Sequence, residues 1–462
     1  MKPSTDPGGT RLPIKLDSTS NGEFVPVPLS PANREANRLA HVAASHNAKH
    51  LDISKRDFLI SACGAASTLL AFNAANAAAG KTGGFFDLPA EAALDQQLAR
   101  VQVGAAKDEF IFDVQGHFVG TPEGNARGPE VFIKDVFLDS DTDMMVLSFV
   151  PSARNAEPVT IQAADAVRRI VERLEGTHRL LLHGRVNPNQ AGDLEGMDEL
   201  KERWGVSAWK TYTQYGPGGR GYFLTDDVGL RFVEKARSLG VKVICIHKGL
   251  PFGPRSYEHS QCSDIGPVAK RFPDVKFLIY HSGFVSTVRE QPYDHGARRD
   301  GIDTLIRSLL DNGVKPGSNV YAELGSTWRF LMRDPEQAAH ALGKLLKYCG
   351  EDNVLWGTDS IWYGSPQDQI QAFRAFQLSA ELRSKFGYAE ITPALRAKIF
   401  GLNGARVYGL SAAEVKKVTG RDRVAKEKVA YQERPEPHFR TYGPRTRREF
   451  LRHLMEQPRP AT

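Results

Sequence analysis

The sequence predicts an α/β barrel of eight strand–helix units. Its first basis is a series of eight apolar runs of strand length, spread from residue 110 to residue 358. Its second is the amphipathic stretches between them, such as Ile161–Leu174 and Pro335–Tyr348. Runs that are apolar on both faces and alternate with helices are typical of buried parallel strands, and eight such units favour a closed barrel. The eight predicted strands are 110–114, 144–150, 179–186, 207–213, 242–247, 276–281, 319–324 and 353–358.

Residues 1–53 precede the barrel and are rich in Pro, Ser, Asn and Gly, so we expect them to be disordered. Residues 54–80 resemble a twin-arginine signal segment, with Lys55-Arg56 as the basic pair, a short apolar core and Ala75-Asn-Ala77 near the end. This predicts export of a folded protein to the periplasm, with cleavage between about 74 and 80. The alternative is a helix that packs on the body of a cytoplasmic protein. No run reaches the ~18 apolar residues of a membrane-spanning helix.

The predicted barrel occupies residues 105–410, and polar residues follow four of its strands. They are His117, His247, His281 and Asp359, which end the first, fifth, sixth and eighth strand segments. Enzymes with this fold keep their chemistry at the carboxyl ends of the strands, so these side chains should converge. Imidazole and carboxylate suit zinc, manganese or iron, and a catalytic site needs about three protein ligands plus an open position. His117, His247 and Asp359 supply such a set.

Nucleotide-binding folds are disfavoured. An open dinucleotide-binding sheet would carry G-x-G-x-x-G after its first strand, and Gln115-Gly-His117 is not that turn. The glycines of Gly216–Gly221 are not followed by the lysine of a phosphate-binding loop.

Charge and cysteine content exclude further classes. The 462 residues carry a formal net charge of +6, and residues 411–462 alone contain 13 Lys/Arg against 7 Asp/Glu. The remainder is therefore balanced and lacks a basic surface for nucleic acid. We expect the basic extension, 411–462, to be helical and solvated and to clasp a second subunit of a homodimer. The four cysteines include no C-x-x-C pair, which disfavours zinc knuckles and disulfide scaffolds.

Several motifs carry a resemblance to a known family. They are Asp113-Val-Gln-Gly-His117, Tyr280-His-Ser-Gly283, Trp356-Gly-Thr-Asp-Ser360 and the closing segment Ile399–Leu410. Over about 110–410 the chain resembles the amidohydrolase-related family of metal-dependent barrels, which includes aminocarboxymuconate semialdehyde decarboxylase and gamma-resorcylate decarboxylase. In that family the Asn and Ala-Arg of the closing helix pack beneath the barrel.

The resemblance implies one divalent ion, zinc with manganese or iron as alternatives, held by His117, His247 and Asp359. His281 would act as the acid/base or orient water, and Asp359 would shuttle the proton. The family's first histidine is replaced by Gln115, which binds a metal more weakly than a carboxylate does. Gln115 would ligate through its carbonyl, lie behind the ligands, or mark a site of reduced metal affinity.

Three functions remain open on this sequence. The first is a hydrolase that uses a metal-activated water on a small carboxylate, lactone, ester or amide. The second is a non-oxidative decarboxylase of an aromatic or unsaturated acid, and the third is a binding barrel without catalysis. Lys210, Arg329 and Trp362 are candidate substrate-binding residues. Their alternatives are a surface lysine paired with an acid and, for the other two, ordinary loop packing.

Overall fold

Eight parallel strands form the centre of the molecule. The structure is a computed structural model that describes residues 12–106, 109–118, 128–154, 156–173, 178–251, 257–418 and 422–456. Each strand pairs with the next along the chain, in the order of the sequence. The strands are β1 (Phe112–Gly116), β2 (Met144–Leu147), β3 (Leu180–Arg185), β4 (Ala208–Tyr212), β5 (Val243–His247), β6 (Lys276–Tyr280), β7 (Val320–Glu323) and β8 (Val354–Leu355).

The sheet closes on itself between β1 and the residues after β8. Val114 N donates to Trp356 O at 3.0 Å, and Asp359 N donates to Gln115 O at 2.9 Å. The predicted α/β barrel is confirmed, and each predicted strand overlaps an observed one. The eighth strand is shorter than predicted because Thr358 N donates to the Asp113 side chain of β1, at 3.1 Å, instead of to a backbone carbonyl.

Helices surround the barrel and continue at both ends of the chain. The predicted helix Pro335–Tyr348 has the predicted bounds. A short antiparallel pair, Gly84–Phe86 with Phe376–Leu378, lies outside the barrel. The α-helices are Pro31–His50, Lys55–Ile60, Ala62–Ala78, Gln96–Val103, Pro129–Ile133, Ile161–Glu172, Met197–Glu202, Asp227–Ser238, Tyr257–Ser260, Ile265–Arg271, Ile302–Asp311, Thr327–Leu331, Pro335–Tyr348, Gln367–Ala375, Ala380–Phe386, Pro393–Ala397, Asn403–Tyr408, Ala412–Val418, Arg423–Tyr431 and Arg447–Glu456.

Shorter helical turns complete the fold. The 3₁₀ turns are Ala90–Ala93, Pro217–Gly219, His281–Gly283 and Glu351–Asn353, and the π-helical turns are Lys134–Leu138 and Lys398–Leu402. The second π turn leads into Asn403–Tyr408 beneath the barrel. There the Asn403 amide donates to the carbonyls of Glu351 and Val354, both at 2.9 Å. This is the position that the family resemblance implied for that asparagine.

The region before residue 54 differs from the disorder that its composition indicated, within the described residues 12–53. Ser30 caps the helix Pro31–His50, and alanines at four-residue intervals form its buried face. Small side chains let it pack closely on Ala62–Ala78, which provides burial that composition alone does not reveal. Residues 12–24 are also largely buried, as described below. Residues 1–11 lie outside the described part of the chain.

The predicted signal segment is folded onto the rest of the protein. Leu69 and Phe72 of the helix Ala62–Ala78 are at most 1% exposed, and the Phe72 ring packs on Phe86 at 5.1 Å. The segment therefore packs on the body of the protein, as in the alternative that the sequence left open. Export and cleavage stay predictions. None of the helices in the described ranges has the length and hydrophobicity needed to span a membrane.

The basic C-terminal extension is helical, as predicted, and its described residues contact the barrel of the same chain. Arg179, which begins the β3 region, forms a buried ion pair with Asp422. The Tyr442 hydroxyl donates to Asp135 at 2.8 Å, and Tyr442 N donates to Trp362 O at 2.8 Å. The Asp422 contact lies at the amino end of β3 and the Trp362 contact follows β8 at the carboxyl end, so the extension packs along the barrel of its own chain. That it clasps a second subunit stays a prediction.

Candidate active site

The structure brings the predicted strand-end residues together at the carboxyl end of the barrel. Gln115, His117, His247, His281 and Asp359 are each at most 2% exposed. They come from the ends of β1, β5, β6 and β8, so residues up to 244 positions apart meet in one buried polar cluster. The convergence follows from the parallel barrel, in which all strands end on one face.

The Asp359 carboxylate is the centre of this cluster. Its Oδ1 lies 3.1 Å from His117 Nε2 and accepts from Gln115 Nε2 at 3.0 Å. Its Oδ2 accepts from Asn21 Nδ2 at 2.7 Å and from the Ser326 hydroxyl. Burial alone would raise the pKa of Asp359, but the hydrogen bond and charge of His117 lower it to about 2. Asp359 is therefore ionised at neutral pH.

Two of the histidines are oriented by backbone carbonyls. His117 Nδ1 lies 3.0 Å from Ser148 O, and His281 Nδ1 lies 2.7 Å from Gly325 O. For His281, a proton on Nδ1 satisfies the Gly325 carbonyl and leaves Nε2 with a lone pair facing the cluster, which is the usual arrangement of metal-binding or basic histidines. For His117, Nε2 lies against the Asp359 carboxylate. Burial lowers the pKa of His281 to about 4, although the charge of Asp359 opposes it.

His247 lies between aromatic rings. Its ring stacks on Tyr212 at 4.9 Å and meets the His281 ring edge-on at 4.4 Å. Burial, followed by the charge of His281, lowers the pKa of His247 well below its usual range. The neutral imidazole that results is the form that binds metal ions.

Buried carboxyl groups support the strand ends from behind. Glu323 Oε2 accepts from His281 N at 3.0 Å, and its Oε1 accepts from Gly325 N at 2.6 Å. Asp113 Oδ1 accepts from Gln115 N at 3.0 Å. These hydrogen bonds hold the backbone of the site residues in place. One of them is made by Asp113, the first residue of the Asp113–His117 motif. Burial raises the pKa of Glu323 to about 8.

Backbone strain is concentrated in the same place. Asp359, His281, Ser282 and Ser326 are non-glycine residues with φ between 52° and 64°. This left-handed region costs energy for residues with a Cβ, and such residues cluster at functional sites. The strain turns the side chains that follow β6, β7 and β8 toward the cluster.

The cluster also includes Asn21 and Glu23, which sequence reasoning missed. Glu23 Oε1 lies 3.4 Å from His247 Nδ1, and Oε2 lies 3.9 Å from His281 Nε2. The Glu23 side chain is 16% exposed. Burial and then the charge of Asp359 raise the pKa of Glu23 well above its usual range. No local pattern marked these residues, because they belong to neither a strand nor a helix.

The donor set fits a divalent metal ion. Within the described ranges, two groups of three His, Asp or Glu residues have ligand atoms all within 4.8 Å of one another. One is Glu23, His247 and His281 at this site, and the other is formed by Asp135, Asp139 and His438. The predicted set of His117, His247 and Asp359 is not one of these groups, although His117 and Asp359 are in contact. Nitrogen and carboxylate donors of this kind suit zinc, manganese or iron.

Gln115 offers one further donor. Its Oε1 is buried and accepts no hydrogen bond from the residues that the structure describes. Its Nε2 donates to Asp359, so the free oxygen is the atom left for a cation. An amide oxygen without a partner is costly to bury, and a metal would relieve that cost.

The three candidate substrate-binding residues have different surroundings. Lys210 is fully buried in the middle of β4, with Nζ 3.9 Å from the Tyr280 ring centre and no hydrogen-bond partner within the described ranges. It is not a surface lysine paired with an acid, and burial lowers its pKa to about 8. Arg329 donates to Asp17 and to Lys15 O, so the N-terminal segment engages its guanidinium.

Trp362 packs against the C-terminal extension. Its ring meets the His453 ring at 5.8 Å, edge to face, and its carbonyl accepts from Tyr442 N. Arg329 and Trp362 thus pack against other segments of the chain, which is the alternative that the sequence left open for both residues.

The similarity of this chain to individual known proteins is low. A search of curated proteins found no match. Among solved structures, an uncharacterised TIM-barrel protein from Bordetella bronchiseptica is 14% identical, with a TM-score of 0.42 over 66% of this chain and 99% of that one. A 4-oxalomesaconate hydratase from Rhodopseudomonas palustris is 17% identical, with a TM-score of 0.41 over 67% and 98%. An inactive dihydroorotase-like domain from Chaetomium thermophilum is 10% identical, with a TM-score of 0.39 over 66% and 80%.

The family assignment rests on the sequence. The model of the family described as Amidohydrolase matches residues 112–410, which is more than half of the chain and spans the whole barrel. The match begins at β1 and ends two residues after the helix Asn403–Tyr408. It thus includes the strand ends that form the cluster around Asp359. The chain belongs to the amidohydrolase family.

Proposed function

We propose that the protein is a metal-dependent hydrolase that acts on a small carboxylate, lactone, ester or amide. The observation that carries the proposal is a buried cluster of metal-type donors, in which the Asp359 carboxylate lies 3.1 Å from His117 Nε2 and His281 is oriented by Gly325 O. A base and a potential proton donor close to a metal site are the groups that hydrolysis requires.

His117, His247 and Asp359 would hold the ion, with Gln115 Oε1 as a further donor. A divalent metal supplies a lowered pKa of water and polarisation of a carbonyl. The Asp359 carboxylate accepts the proton of the attacking water, because it is the ionised group with oxygens facing the cluster. The Ser326 and Asn21 hydrogen bonds to Oδ2 fix its orientation.

His281 would receive on Nε2 the proton that Asp359 takes from the water, and would pass it to the leaving group. Its Nδ1 is held by Gly325 O, so Nε2 is the atom that faces the substrate side. Lys210 provides a positive charge inside the barrel that would bind a substrate carboxylate. The two aromatic rings around its Nζ hold the ammonium in place, since a buried cation is stabilised by the faces of aromatic rings.

The test is elemental analysis of protein purified without added metal, followed by a panel of esters, lactones, amides and aromatic acids. About one divalent ion per chain and hydrolysis of a panel member are expected. His281→Asn should retain the ion while turnover drops by roughly 10²–10⁴-fold, the scale of acid/base catalysis.

Other results would contradict the proposal. Release of carbon dioxide from an aromatic acid, without hydrolysis, would identify a decarboxylase. A chain that binds no metal and turns over no panel member would be the binding barrel. Loss of the ion in His281→Asn would make His281 a ligand rather than the acid/base.

A further inference from the structure

A segment near the start of the chain enters the mouth of the barrel. Leu12, Ile14 and Leu16 are at most 1% exposed, so alternate residues of this stretch are anchored by apolar burial. The charged residues between them are anchored as well. Asp17 pairs with Arg329 at 2.8 Å, and Lys15 Nζ donates to Ser365 O at 3.0 Å. The N-terminal segment, residues 12–24, is thus a built part of the mouth.

The tip of the N-terminal segment reaches the Asp359 cluster. Asn21 Nδ2 donates to Asp359 Oδ2 at 2.7 Å and to Glu23 Oε2 at 2.5 Å, so one amide links the two carboxylates. Gly22 adopts φ 89°, and a Cβ there would collide with the His453 ring of the C-terminal extension. The turn therefore requires glycine, and it aims Glu23 at the histidines of β5 and β6.

Glu23 lies where the barrel itself lacks a charged ligand. The residue at the first ligand position of β1 is Gln115, whose amide is a neutral and weaker donor than a carboxylate. Glu23 Oε1 lies 3.4 Å from Nδ1 of His247, one of the proposed ligands, so both residues are within reach of one ion, and Oε2 lies 3.9 Å from His281 Nε2. Two buried carboxylates side by side repel each other, and a divalent cation between them removes that cost.

We infer that Glu23 is a ligand of the metal ion and supplies the negative charge that Gln115 does not. The metal site would then be completed by a segment outside the region that the family match covers, 112–410. The inference rests on the proposed metal-dependent function, since it requires that the barrel binds an ion.

The test measures metal affinity directly. Zn²⁺ is titrated into the metal-free full-length protein in competition with a chromophoric chelator. We compare wild type with Glu23→Gln, which keeps the shape of the side chain, and with Glu23→Ala. The matched control is Ser18→Ala on the same segment, where the Ser18 hydroxyl donates to Arg445 O away from the cluster. Circular dichroism reports whether each variant is folded.

Both Glu23 variants should bind Zn²⁺ at least about 10–100-fold more weakly than wild type, while Ser18→Ala binds normally. In Co²⁺-loaded protein, Glu23→Gln should change the visible ligand-field spectrum, because a carboxylate oxygen has left the ion. Unchanged affinity and an unchanged spectrum in Glu23→Gln would overturn the inference while the proposed function stands. A wild-type protein that binds no Zn²⁺ would instead overturn the proposed function.

The mature N-terminus gives a second test. Cleavage between about 74 and 80 would remove Glu23 together with the whole N-terminal segment. Intact mass measurement of the metal-loaded protein from its native host should therefore find a chain that retains residue 23. An active, metal-loaded chain that starts near Ala78 would overturn the role of Glu23 and support the export prediction.

Discussion

The ion pair between Asp17 and Arg329 provides the sharpest test of how the N-terminal segment is seated. The side chains are 1% and 3% exposed, and Arg329 Nη2 lies 2.8 Å from Asp17 Oδ1. Arg329→Gln would leave the Asp17 carboxylate buried without its cation. Removing one partner of a buried pair costs about 3–5 kcal/mol, so we expect the free energy of unfolding to fall by that amount.

The assay is urea denaturation followed by circular dichroism, on Asp17→Asn, Arg329→Gln and the double variant. Each single change leaves one buried charge, whereas the double variant leaves none. The double variant should therefore lose less stability than the sum of the two single losses. The matched control is Glu35→Gln, since the Arg38–Glu35 pair is nearly half exposed and such pairs contribute about 0–1 kcal/mol.

A loss below about 1 kcal/mol in both single variants would refute this reasoning, because residues 12–24 would then not be held in the barrel mouth. Losses that simply add in the double variant would show that the two charges do not interact. The same variants should bind Zn²⁺ more weakly if the seating of the segment positions Glu23.

Two further predictions concern buried charges. Lys210→Met should raise stability at pH 7 by up to about 3 kcal/mol, because the lowered pKa of about 8 means that the fold disfavours the ammonium. The gain should shrink as pH rises from 8 to 10.5, and urea denaturation at both ends of that range would test it. Asp141→Asn should destabilise the protein at pH 7. Although burial opposes it, the cations Lys428 and Arg374 hold the pKa of Asp141 well below its usual range. The difference from wild type should diminish as pH falls below about 4, and a loss that is independent of pH would contradict it.

The barrel could be predicted because its pattern is local. A buried parallel strand reads as an apolar run wherever it occurs, and its carboxyl end is marked by the first polar residue. His247 and Asp359 could therefore be placed on one face without knowledge of any tertiary contact. The same reasoning placed Lys210 on that face, but it gave no information on the aromatic rings that surround its Nζ.

The mouth of the barrel could not be predicted because its contacts join residues that no periodic pattern relates. Arg329 was read as a substrate-binding residue from its position after β7, and only the structure reveals Asp17 as its partner, 312 positions earlier. Composition also gave a wrong prediction of disorder for this segment, because a polar segment has few apolar side chains of its own to bury. Residues 12–24 obtain their burial from the barrel and from the C-terminal extension.

The strand ends could be predicted and the barrel mouth could not, and this difference bears on the metal site. The strand ends supply imidazoles from the rigid part of the fold. Glu23 instead comes from residues 12–24, and fixing the backbone of each of these residues costs roughly 1–2 kcal/mol of conformational entropy. An ion bound by both sets of ligands would offset part of that entropy. Metal binding should thus be linked to the order of the N-terminal segment, in addition to providing Lewis acidity. Because linkage is reciprocal, anything that displaces residues 12–24 should loosen the ion, and loss of the ion should loosen those residues.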